Sequence, residues 1–119
     1  MTTSMLLNSK TAAFLLVLLW VAWVRLAVAA DACPVFKLQP LRYVDVFDGP
    51  PENLAKLIPD KTGDRSGYWI LGYIYQSGRF VVIRCKYADK HTVDVKLSRK
   101  VDRCDYKIDE SKTLKVHCR

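Results

Sequence analysis

The 119-residue sequence predicts a mainly β fold: an antiparallel sheet or meander of about six strands with one short helix, stapled by disulfides. Three observations lead there. Short runs rich in β-branched and aromatic residues are bounded by Gly, Pro, Asp and Ser. Only one segment carries apolar residues at helical spacing between a helix-starting proline and a helix-stopping one. Four cysteines, Cys33, Cys85, Cys104 and Cys118, all follow an apolar N-terminal stretch, and an even count in a small exported domain reads as a disulfide framework.

Residues 1–30 read as a secretory signal peptide. Lys10 precedes the apolar run Thr11 to Val24, and the small residues of LAVAADA follow. The run is shorter than the roughly 20 residues a membrane span needs, although Leu26 to Ala30 could extend it into an uncleaved anchor. A membrane is a partner only in that second case. Ala30 and Asp31 ahead of Cys33 do not suit a lipidation signal. Residues 31–119 then form a single domain, with the periplasm as the expected compartment. It keeps 17 of the 19 Lys and Arg and all 12 acidic residues, a balance of +5. In an exported protein that charge points to the anionic envelope or an acidic protein, and nucleic acid is not an expected partner.

Within the domain, Val35 to Leu38 and Tyr43 to Phe47 read as strands. Asp48-Gly49 then turns the chain, and Pro51 with Glu52 suits a first helical turn. Leu54, Leu57 and Ile58 would bury one side of that helix until Pro59 stops it, so the acids Asp48 and Glu52 have structural roles. Next, Tyr68 to Gln76 and Arg79 to Tyr87 flank Ser77-Gly78, the signal of a two-residue hairpin. Its core face would carry Val81, Ile83, Cys85 and Tyr87. Its other face would carry Trp69, Tyr73, Tyr75 and Phe80 with Arg79, Arg84 and Lys86 at the rim. Trp, Tyr and Arg dominate interface hot spots, so these seven residues are the candidate partner-binding set.

Thr92 to Leu97 alternates as a further strand. Residues 103–109 and 113–118 form a last hairpin whose register pairs Ile108 with Leu114, Tyr106 with Val116 and Cys104 with Cys118. That register predicts the Cys104–Cys118 disulfide, and Cys33–Cys85 follows by elimination. No CxxC pair supports zinc, no phosphate loop occurs, and His91 and His117 lack a placed nucleophile. A non-enzyme without metal or cofactor is the expectation.

Cys33-Pro34, Phe47 to Asp60 (FDGPPENLAKLIPD), the GYW strand, Cys85 to Asp89 (CKYAD) and the late RCDY and VHC also form a pattern. It resembles a family of small exported proteins of Gram-negative bacteria, some encoded in type VI secretion loci. The resemblance spans about Cys33 to Cys118. It implies a periplasmic immunity protein that binds and inhibits a cognate secreted toxin, with peptidoglycan as the toxin's target and an L,D-transpeptidase-like activity. The alternative is a periplasmic lysozyme inhibitor or another small envelope binding protein. Typical lysozymes are basic, and a +5 inhibitor would meet repulsion on encounter.

Overall fold

The computed structural model describes residues 31–119. The expected signal peptide, with its anchor alternative, lies outside the described residues. The chain runs β1 (Leu41–Asp48), β2 (Lys56–Leu57), β3 (Lys61–Thr62), β4 (Ser66–Ile70), α1 (Gly72–Gln76), β5 (Val81–Tyr87), β6 (Thr92–Leu97), β7 (Arg103–Ile108) and β8 (Leu114–Cys118). Two four-stranded antiparallel sheets result, ordered β2-β1-β5-β6 and β3-β4-β7-β8. The fold is mainly β, as expected; the added strands β2 and β3 are two-residue edges.

Alternation decides which side chains enter the core. Val46 and Ile83 are opposite one another and fully buried, as are Val81 and Cys85 on the same face. From the second sheet come Trp69, Cys104, Leu114 and Val116, and α1 with its flank adds Leu71 and Ile74. These residues join in one cluster. Both expected disulfides form: Cys104–Cys118, from the register, at a Cα separation of 4.1 Å, and Cys33–Cys85, by elimination, at 6.0 Å. The β7–β8 ladder pairs Cys104 with Cys118, Tyr106 with Val116 and Ile108 with Leu114.

Three local expectations are corrected. The hairpin across Ser77-Gly78 does not form. β4 ends at Ile70 and pairs with β7, while β5 lies between β1 and β6 in the other sheet. Between them, Gly72–Gln76 is a short helix. Gly78, at φ +75, caps it, with its amide donating to the Tyr75 carbonyl and the Arg79 amide to that of Ile74. That double bond pattern is a Schellman cap, which wants glycine at positive φ as strongly as a hairpin turn does. Leu71 and Ile74, three apart, are buried where a strand would have split them between faces.

The helix expected after Pro51 is also absent. Pro51–Asn53 makes one 3-10 turn, and Leu54 ends it in the left-handed region at φ 58. Bracketed by Pro50-Pro51 and Pro59, the segment has too few residues to offset helix nucleation. The open edge of β1 takes it instead, with Leu57 opposite Val46 and Lys56 opposite Phe47. Leu54 and Ile58 are accordingly exposed. Val35 to Leu38, the third case, is no strand; it turns through a single bridge between Phe36 and Gln39.

Gly67 is buried opposite Tyr106, whose ring covers it. A Cβ there would sit 2.5 Å from Tyr106 Cε1 and would also meet the Lys61 backbone carbonyl. Gly67→Ala is therefore expected to cost about 2 kcal/mol through forced displacement of β3 and the ring. Thermal unfolding followed by circular dichroism checks it; an unchanged midpoint would mean that the ring yields freely.

Candidate functional site

The outward face of the β2-β1-β5-β6 sheet is an assembly of charges on an apolar floor. Strand alternation turns Tyr43, Asp45 and Phe47 of β1 outward beside Val82, Arg84 and Lys86 of β5, with Asp94 and Lys96 of β6 at the far side. Phe47 and Val82 are buried beneath the longer side chains. The Arg84 guanidinium lies 5.3 Å from the centre of the Phe47 ring and makes two hydrogen bonds to Asp94, of 2.8 and 3.0 Å. Lys96 is 4.3 Å from the centre of the Phe80 ring. At the end of β1, Arg79 donates to both carboxylate oxygens of Asp48 at 2.7 and 3.0 Å.

Asp45 occupies the centre. Its carboxylate receives Lys86 at 2.7 Å and Lys56 at 3.1 Å, and its side chain is only 14% exposed. Burial pushes the Asp45 carboxyl up, but the hydrogen bonds and charges of Lys86 and Lys56 outweigh it and hold the group below its ordinary value. Asp94 is likewise held low, chiefly by its hydrogen bonds from Arg84. Both carboxylates are therefore ionised at neutral pH. Five cations, Lys56, Arg79, Arg84, Lys86 and Lys96, face four acids, Asp45, Asp48, Asp94 and Glu52, whose charge also acts on Arg84, so the face is slightly basic on balance. The Arg84–Asp94 pair, with both partners open to water, contributes little to folding. That pair can exchange partners when another charged surface arrives.

The seven candidate residues divide between this face and the interior. Arg84 and Lys86 share the outward face of β5, as alternation predicted; Phe80 lies just ahead of that strand, under Lys96, and Arg79 borders them. Tyr73, on α1, is 47% exposed. Tyr75 is half-buried, and its hydroxyl donates to the Leu97 carbonyl at 2.8 Å. Trp69 is a core residue, 4% exposed, its indole donating to the Leu57 carbonyl at 3.3 Å. It points inward because β4 belongs to the other sheet. Sequence reasoning missed Lys56, whose segment it read as a helix, and also Asp45, Phe47, Asp94 and Lys96. The strands of the last four alternate correctly; the missing knowledge was that β1 and β6 flank β5.

A concavity of about 620 Å³ lies elsewhere, between residues 33–42 and β8, with Val35, Phe36, Leu38, Tyr87 and Leu114 in its walls. Arg42 closes one side by donating to the carbonyls of Ser111 and Lys112.

Residues 36–119 match the family model described as Type VI secretion system Tli immunity protein. No curated protein and no solved structure matches the chain.

Proposed function

Because the chain belongs to the type VI secretion system Tli immunity protein family, we propose that it acts in the periplasm as a stoichiometric, non-enzymatic inhibitor of a cognate secreted toxin. The contact surface in this reading is the outward face of the β2-β1-β5-β6 sheet, with Tyr73 beside it. The observation that carries the choice of face is its construction: Arg84 and Lys96 lie over aromatic rings, and Arg84 meets a carboxylate that a partner can replace. Arginine and tyrosine over an apolar floor are what interface hot spots are made of. A basic excess favours a toxin with an acidic rim and speeds its capture. Two disulfides fit an oxidising compartment.

Arg84→Glu places like charge against Asp94 and against an acidic partner. It is expected to weaken toxin binding by about 10- to 100-fold while changing folding stability by no more than ~1 kcal/mol. Titration calorimetry against the toxin of the neighbouring gene, with urea unfolding of the variant, reads both. Unaltered affinity means that toxin contact lies on another face. Absence of any complex with that toxin, and of protection on co-expression, removes the inhibitor reading itself. The finer proposal makes the toxin a peptidoglycan-directed enzyme, of L,D-transpeptidase-like type. Altered muropeptides in unprotected cells support it; an intact cell wall with damage elsewhere in the envelope refutes it.

A further inference from the structure

Among the described residues, three of the four sheet edges are short or covered, and one is neither. β2 and β3 are two-residue edges, and β8 is overlaid by Asp31 and Ala32, whose amide donates to the Val116 carbonyl at 3.0 Å. β6 spans six residues, contains no proline or bulge, and ends its sheet. Its ladder to β5 fixes which backbone groups are open. The Tyr87 amide bonds the His91 carbonyl, so Val93, Val95 and Leu97, at two-residue steps, bond inward to β5. Thr92, Asp94 and Lys96 turn their amides to the free edge. Among the described residues the one backbone bond there is local, from the Ser98 amide to the Lys96 carbonyl. A long, regular, unprotected edge is a template for another strand.

We propose that this edge pairs antiparallel with β6 of a second copy, about a two-fold axis at Val95. The charge sequence selects this occupant and this register. With Val95 opposite its own counterpart, Asp94 of each copy lies opposite Lys96 of the other, and Val93 opposite Leu97. The outward-turned residues Asp94 and Lys96 fall at a hydrogen-bonded pair, as the ladder requires. Opposite charges meet twice on the outer face, and apolar side chains meet on the inner. Moving the axis to Asp94 sets two aspartates directly opposite and is disfavoured. The paired sheets make one eight-stranded surface carrying two copies of the basic face. A six-residue edge is a small interface, so the dimer is weak and concentration-dependent.

Two single variants and their mixture test the register. Asp94→Lys and Lys96→Asp each put like charges opposite twice, and each is expected to raise the dimer dissociation constant at least about tenfold. Mixed together they form a heterodimer, since each lysine of one chain then faces an aspartate of the other. Sedimentation equilibrium from ~1 μM to ~1 mM, on the native chain, each variant and the mixture, reads all four. Association of the native chain, loss in both singles and recovery on mixing is the expected result, and recovery also shows that both variants fold. The mass of one chain for the native protein throughout, or a mixture no more associated than its components, overturns the proposal. A native monomer whose variants instead lose toxin capture assigns the edge to the toxin, and likewise overturns self-pairing.

Discussion

The double variant Cys33→Ser/Cys85→Ser is expected to lose about 4 kcal/mol of stability, the chain-entropy value for a crosslink between residues 52 apart. A domain of this size has a total stability of about 5–15 kcal/mol, so the loss is a large share. The geometry argues against compensation. Cys85 is fully buried between the sheets, and the segment after Cys33 has few other ties. Among them are the Tyr87 hydroxyl on the Pro34 carbonyl at 2.5 Å and the Ala88 amide on the Pro40 carbonyl at 3.1 Å. Opening Cys104–Cys118, whose partners are 14 apart, is expected to cost less, about 3 kcal/mol. Urea unfolding of both serine pairs measures the two values. A loss under about 1 kcal/mol for the long crosslink would show that the unfolded chain is already compact without it.

Trp69→Ala is expected to cost 3–5 kcal/mol, roughly the range for removing a buried large aromatic. Trp69 sits beside Cys104 in the ladder, its ring 5.3 Å from that of Tyr106, and its indole N–H satisfies the Leu57 carbonyl at the join between the two sheets. Tyr73→Ala, four residues on, removes a half-exposed ring and is expected to change stability by less than about 1 kcal/mol. Parallel melts of the two variants separate interior from surface within one sequence segment. If Trp69→Ala melts like the native domain while Tyr73→Ala unfolds, the assignment of the two side chains is inverted.

What the sequence made legible follows loop length. The β7–β8 hairpin was readable to the residue because a short polar loop leaves one register that keeps Cys104, Tyr106 and Ile108 on a single face. The inward set Val81, Ile83, Cys85 and Tyr87 was equally plain, since alternation needs no knowledge of neighbours. The segment Tyr68 to Tyr87 failed for a physical reason. Glycine at positive φ serves a hairpin turn and a helix cap alike, and the neighbours that decided between them, β1 and β7, are distant in sequence. The Pro51 helix failed because an open sheet edge outcompeted a segment too short to nucleate. The candidate face was half legible. Its cations on β5 were named, whereas their carboxylates Asp45, Asp48 and Asp94 come from strands whose adjacency no local pattern encodes.

The crossover at α1, which sends β4 and β5 into different sheets, also sets how fast the domain can be made. Val46 must find Ile83 and Tyr68 must find Asp105, each roughly 40 residues away. High contact order of this kind belongs to β proteins that fold in milliseconds to seconds, not microseconds. During that interval the apolar halves of both sheets are open to proteases and to one another. A newly made chain is therefore most vulnerable before its first and central strands meet.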